Sequence, residues 1–212
     1  MKKTRNIILG VLAVMLICAL TVVGTMAYLT RDTGPVTNTF VAADLINPTS
    51  GVFTLNESPA TESSTAVGKY TLDTTATKVT ENTYAHVVPG TTLPKDPTIT
   101  VSGLGANAWL FLEVLDATPA TITYTMNTGW TKLTGVHAPN DGTIYAWNAA
   151  LAPAAAAQTF QVLSDDTLTV DAAYEGQTTD QTLTFYGYLT QAAGFDTASA
   201  AWNATFGATT NP

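Results

Sequence analysis

The chain has 212 residues, of which 16 are acidic and 8 are basic, and its formal net charge is −8. Such a length fits one domain with a sizeable core or two small domains. The excess of negative charge argues against nucleic acid and anionic lipid surfaces as partners, because both would repel it.

The N-terminal residues have the pattern of an export signal. Lys2, Lys3 and Arg5 precede residues 7–24, which contain no charged side chain, and a basic stretch before an apolar one is typical of a secretory signal peptide. The apolar stretch is long for a signal, so an uncleaved membrane anchor is the alternative interpretation. Whether the stretch is a signal peptide or a membrane anchor, we expect the rest of the chain to lie outside the cell.

Small side chains follow this stretch. Thr25 and Ala27 stand three and one positions before Tyr28, where signal peptidases need small residues. We therefore expect residues 1–27 to be a signal peptide that a signal peptidase removes between Ala27 and Tyr28.

After this cleavage the mature chain would have five basic and sixteen acidic residues and no cysteine, since Cys18 lies in the signal. It can form no disulfide and depends on its core for stability.

The segment after the cleavage site is rich in threonine and alternates in character. The alternating run consists of Val36, Thr37, Asn38, Thr39 and Phe40. Alternation with a period of two predicts an extended strand. We expect residues 28–45 to form an N-terminal strand that can donate its backbone hydrogen bonds to an open sheet edge of another copy.

Further short runs of β-branched and aromatic residues predict strands at residues 69–72, 98–101, 109–115, 122–126, 144–147, 159–163, 167–170 and 183–189. Turn residues separate them, and residues 47–66 are expected to form a loop or a short edge strand. An alanine-rich run after Asp196, a suitable N-cap, predicts a short C-terminal helix over residues 197–206. The fold class is therefore all-β: a single domain over residues 28–212, formed by an antiparallel two-sheet β-sandwich or jelly roll with a short C-terminal helix.

Residues 109–115 are nearly continuous in apolar character. This predicts a central strand that is covered on both faces. Glu113 is the one charged residue in the run, and we expect it to point to an edge or a partner.

The sequence offers little catalytic chemistry. His86 and His137 lie 51 positions apart, outside any spacing that places two imidazoles on one zinc ion. Asp165 with Asp166, and residues 140–142, are interpreted as turns, with weak calcium binding as the alternative. We expect no catalytic residue, no metal and no cofactor.

The aromatic residues suggest one further interpretation. Trp130 and Trp147 are the candidates for a surface platform that binds carbohydrate, whereas Trp109 and Trp202 are expected to pack in the core.

The N-terminal sequence also resembles a known family. Residues 24–32, Gly-Thr-Met-Ala-Tyr-Leu-Thr-Arg-Asp, followed by the run from Val36 to Phe40, are similar to the signal region of proteins cleaved by the SipW type of signal peptidase. That family, from Gram-positive bacteria, includes the biofilm matrix protein TasA and camelysin. Two later blocks strengthen the resemblance: residues 87–90 with 95–101 and 109–112, and residues 188–195 with 201–202.

The resemblance implies a secreted jelly roll that polymerises when the N-terminal strand of one subunit completes the sheet of the next. The expected partners are the signal peptidase, further copies of the chain and other matrix proteins, with membrane contact only through an uncleaved signal. The alternatives are a monomeric secreted adhesin or carbohydrate-binding module, and an enzyme.

Cleavage of the signal is directly testable. We expect the secreted form to begin at Tyr28, because the small residues at Thr25 and Ala27 follow the apolar stretch. N-terminal sequencing of secreted protein checks this, and a product that keeps Met1 and stays in the membrane fraction would contradict it.

Overall fold

The computed structural model describes residues 45–116, 121–171 and 181–207. All of them belong to one unit of the chain, Ala43–Pro212. The expected cleavage site at Ala27 and Tyr28, and the alternating run from Val36 to Phe40, lie outside the described residues.

The described residues form twelve β-strands and one α-helix. In chain order they are β1 (Val52–Asn56), β2 (Ala60–Glu62), β3 (Tyr70–Leu72), β4 (Thr92–Pro94), β5 (Thr98–Ser102), β6 (Ala108–Asp116), β7 (Ile122–Met126), β8 (Trp130–Lys132), β9 (Thr143–Trp147), β10 (Gln158–Gln161), β11 (Leu163–Val170), β12 (Leu183–Gln191) and α1 (Ala198–Phe206).

The strands pair in four antiparallel sheets, with the orders β1-β5-β10, β4-β11-β7, β12-β6-β9-β8 and β2-β3. The first two are continuous with each other, because β4 leads into β5 and β10 into β11. Backbone hydrogen bonds from Val162 N to Pro97 O (3.0 Å) and from Lys95 N to Asp166 O (2.6 Å) bridge the junction. We call these two together sheet 1, and β12-β6-β9-β8 sheet 2.

Sheets 1 and 2 enclose the main core. Ile99 and Val101 of β5 pack with Leu110, Leu112 and Val114 of β6, all buried. The threonines that alternate with the apolar residues of β5 are only half-buried, as expected when one face of a sheet borders solvent. The predicted all-β, sandwich-like class is confirmed.

Sheet 2 is covered on its second face by the C-terminal helix. Phe111 of β6 and Ile144 of β9 are buried there against Trp202 of α1. β6 is thus buried on both faces, as its continuous apolar sequence predicts.

The N-cap of α1 is Thr197 and not Asp196, because the Thr197 side chain accepts a hydrogen bond from Ala200 N at 3.2 Å. Within the described ranges, no helix is long and apolar enough to cross a membrane.

Several strand boundaries differ from the expected ones. Residues 47–66 contain β1 and β2, and the expected turn at Asp165 and Asp166 lies inside β11. The register of β11 against β7 shifts between Leu163 and Leu168, and Asp166 has a positive φ of 52°. The two aspartates therefore form a bulge within one strand, which the turn chemistry of the sequence cannot distinguish from a chain reversal. The three-residue strands β4 and β8 were not predicted from the sequence.

Trp202 provides a test of the helix packing. Its side chain is fully buried, and its ring centroid lies 5.0 Å from that of Phe111 and 4.5 Å from that of Phe206. Trp202→Ala should lower the free energy of unfolding by about 3–5 kcal/mol, measured by urea denaturation. Val67→Ala is the control, because Val67 is 76% exposed and its loss should cost within about 0.5 kcal/mol. Equal effects would contradict the packing described.

Candidate functional site

One side of the sandwich ends in two strands that face each other. β1 is the last strand of sheet 1 and β12 is the last strand of sheet 2, and among the described residues each pairs along one side only. A Cβ atom on Gly187 of β12 would lie 3.3 Å from Phe53 of β1 and 3.5 Å from Ile99. The missing side chain thus leaves room for Phe53 between the two edges. We call the pair of edges β1 and β12 the open side.

Some apolar residues at the open side are less well buried than those of the neighbouring strands. Phe53 and Leu55 of β1 and Phe185 of β12 pack against the core cluster but are only partly buried, whereas Ile99 and Leu110, on the neighbouring strands, have no exposed surface. Inward-facing apolar surface therefore remains accessible where the two sheets end.

β12 lacks the sequence features that usually prevent an edge strand from pairing with a further strand. Its nine residues include no charge and no proline, although edge strands are commonly shortened or carry lysine or proline that prevents further pairing. By contrast β8, at the other end of sheet 2, has three residues and ends in Lys132. Tyr186 of β12 and Val52 of β1 are 38% and 41% exposed. The open side therefore has the properties of an edge that accepts another strand.

The first described residues lie near one end of this edge. Gly105 N donates to Leu45 O at 3.1 Å, and Ala192 N, directly after β12, donates to Asn107 O at 2.8 Å. Gly105 and Asn107 are two positions apart, a separation of at most about 7 Å. Leu45 therefore lies close to the Gln191 end of β12.

The expected aromatic platform does not lie on the surface. Trp130 is 6% exposed, and its Nε1 donates to Gln161 O at 2.9 Å. Its partner across the strands, Trp147, stacks at 5.2 Å against Trp130 and at 5.0 Å against Phe160. Trp147 also lies on Gly129, where a Cβ atom would come within 2.0 Å of the indole. Both tryptophans face the core because their positions in β8 and β9 point inward.

Glu113 also differs from its expected position. It is fully buried in β6, where it accepts hydrogen bonds from Asn140 N (2.8 Å), Gly142 N (3.0 Å), Asn140 Nδ2 (2.9 Å) and Tyr188 OH (2.8 Å). Burial alone raises the pKa of Glu113, but these hydrogen bonds outweigh it and lower the pKa below its usual value. Glu113 therefore holds the turn at residues 140–142 against sheet 2, and this agrees with the interpretation of those residues as a turn.

A second buried polar cluster joins the end of β1 to the start of β5. Lys95 Nζ lies 2.8 Å from Glu57 Oε2, and Ser58 Oγ donates to Asp96 Oδ2 at 2.5 Å. Lys78 Nζ donates to Ser58 Oγ at 2.5 Å and to Asp96 at 3.2 Å. A serine beside a lysine can act as a nucleophile, but Ser58 has no exposed surface and its hydroxyl is bound to Asp96. The cluster is structural, and its members lie too far apart in the sequence to be recognised from a motif.

The two histidines lie in separate surroundings. His86 Nδ1 lies 3.2 Å from the Glu62 carboxylate, and His137 O accepts a hydrogen bond from Trp202 Nε1 at 2.7 Å. In the described part of the chain, no group of three or more His, Cys, Asp or Glu side chains is placed to hold a metal ion. Independence from metals stays a prediction.

Comparison of the chain with protein-family models, with curated proteins and with solved structures found no match.

The buried carboxylate predicts a dependence of stability on pH. Because the folded pKa of Glu113 is lowered, its stabilisation is present above the unfolded pKa of about 4.3 and is lost as the pH falls through the folded value. Glu113→Gln should therefore cost about 1–3 kcal/mol of unfolding free energy at neutral pH, and this difference from wild type should shrink below pH 4. Urea denaturation across pH measures it. Tyr188→Phe, which removes one donor and keeps the carboxylate, should leave most of the pH dependence intact.

Proposed function

We propose that the chain is an exported structural protein of the cell surface or the extracellular matrix, whose copies assemble through their N-terminal strands. The observation that carries this proposal is the open side, where β12 presents a nine-residue edge without charge or proline. An edge of this kind pairs readily with a further strand.

The sequence supplies a strand of the required kind. The run from Val36 to Phe40 alternates and contains no proline, so each of its residues can contribute a backbone donor and an acceptor. Addition of such a strand satisfies the unpaired backbone groups of the edge, while alternate side chains cover the exposed apolar surface beside it. The resemblance to proteins with a SipW-type signal supports the same proposal.

The proposed assembly has a direction. The donor strand and the accepting edge are different parts of the surface, so each copy donates to one neighbour and accepts from another. Contacts of this type form open chains unless the rotation between subunits closes a ring. Elongated particles are therefore the expected product.

A monomeric adhesin or carbohydrate-binding module is the alternative function. Its main support in the sequence was a surface platform at Trp130 and Trp147, and both side chains pack against the core instead. The alternative thereby loses the residues that would have bound a sugar ring, whereas the open side supports assembly.

Assembly can be tested in the mature protein. At high concentration, protein beginning at Tyr28 should form elongated species in sedimentation and electron microscopy, and a truncation that removes residues 28–40 should stay monomeric. Thr39→Pro should also stay monomeric, because proline removes one backbone donor and fixes φ in the middle of the strand. Thr39→Val keeps the backbone donor and is the matched control, so it should assemble like wild type. If wild type and truncation are equally monomeric at every concentration and pH, the adhesin alternative becomes the better account.

A further inference from the structure

Lys95 and Glu57 bring an amine and a carboxyl group into contact in the interior. Lys95 follows β4 and Glu57 follows β1, and Lys95 Nζ lies 2.8 Å from Glu57 Oε2. The two residues are only 8% and 5% exposed. Among the described residues, Glu57 supplies the one hydrogen-bond acceptor for Nζ, and the ring of Phe185 lies 5.8 Å from it. The two groups therefore meet where little water reaches them.

The backbone around the pair is fixed. Glu57 exchanges two hydrogen bonds with Val79, at 2.9 and 2.8 Å. The residues that follow Glu57 and Lys95 also bind each other, because Ser58 N donates to Asp96 Oδ1 at 2.7 Å and Ser58 Oγ donates to Asp96 Oδ2 at 2.5 Å. Groups that are held in contact react much faster than free ones, since the entropy of bringing them together has already been lost.

Burial favours the uncharged forms of the pair. Burial and the neighbouring charges of Glu57 and Asp96 raise the pKa of Tyr84, as expected in poorly hydrated surroundings. A charged pair in such a site loses solvation that its mutual attraction only partly replaces. Transfer of one proton from the Lys95 ammonium to the Glu57 carboxylate removes both charges and gives an amine and a carboxylic acid. These two groups are the reactants of an amide bond.

We propose that Lys95 and Glu57 condense in the folded chain to form an intramolecular amide cross-link. The lone pair of Lys95 Nζ attacks Glu57 Cδ, a C–N bond forms, and the C–O bond to the carboxyl hydroxyl breaks. The hydroxyl leaves as water with one hydrogen of the amine. Nothing is oxidised or reduced, and the two side chains are the only reactants.

The cross-link would hold the edge strand β1. It joins residues 38 positions apart in the sequence, and β1 pairs only with β5 among the described residues. With a single cysteine, the chain cannot close this loop by an internal disulfide. A covalent link stabilises a fold mainly by restricting the unfolded chain. The inference does not depend on the proposed function, because an edge strand can be held in this way in a monomer or in a fibre.

A second lysine and carboxylate in the same cluster serve as an internal comparison. Lys78 Nζ lies 3.2 Å from Asp96 Oδ2, but the Lys78 side chain is 42% exposed. Burial raises the pKa of Asp96, and hydrogen bonds from Ser58 and Lys78 outweigh this effect and lower it. Both partners therefore stay charged, and we expect this pair not to react. The chain should lose one water and not two.

Mass spectrometry of the denatured chain, after storage under native conditions, tests the proposal. The wild type should weigh one water less than its sequence. Trypsin should release residues 32–69 joined to residues 79–132, because the amide at Lys95 blocks cleavage after that residue, while residues 70–78 should appear as a free peptide.

Two variants locate the bond. Lys95→Arg keeps the positive charge and the hydrogen-bond donors, but the guanidinium does not lose its proton, so this variant should have the full mass of its sequence. Lys78→Arg is the matched control and should still lose one water. A wild type with the full sequence mass would overturn the proposal. So would a loss of water that persists in Lys95→Arg or that maps to other peptides, whereas elongated particles of the wild type would be unaffected by either result.

Discussion

The burial of strand β6 on both faces organises the structure. Leu110, Leu112 and Val114 face the core between the sheets, and Phe111 faces the helix. Since adjacent residues of a strand point to opposite faces, a fully apolar strand has to be covered twice. Sheet 1 supplies one cover, and α1 with the loops around it supplies the other. The one buried charge of the strand, Glu113, is satisfied by the turn at residues 140–142.

The two sides of the sandwich differ in how the space between sheet 1 and sheet 2 is filled. Trp130, Trp147 and Phe160 fill the space between the sheets near β8, β9 and β10. At the opposite end, Phe53 reaches across Gly187 but is itself only partly buried. Aromatic packing thus fills one side of the sandwich, whereas on the other side the edges of β1 and β12 pair along one side only among the described residues. The proposed assembly uses the second of these sides.

The chain has a single cysteine, Cys18, and can form no internal disulfide, so its fold is fixed by other contacts that include the buried polar clusters. The pair of Lys95 and Glu57, with Asp96 bound to Ser58, fixes the end of β1 to the start of β5. Buried ion pairs add little net stability, but loss of one partner leaves an uncompensated charge. The clusters therefore define where the edge strand β1 lies, which also positions Phe53 at the open side.

The sequence by itself determined the fold class, most of the strands and the double cover of β6, because periodicity and apolar runs report directly which faces are buried. It also identified the short helix, with its N-cap displaced by one residue from Asp196 to Thr197. Only the tertiary structure decided that Trp130 is buried and Trp147 packs against the core. It also decided that Glu113 binds a turn and that, among the described residues, β12 is the last strand of its sheet. Strand sequences specify which residues share a face, but which strand ends a sheet depends on pairing between residues far apart in the chain, and local patterns do not encode that pairing.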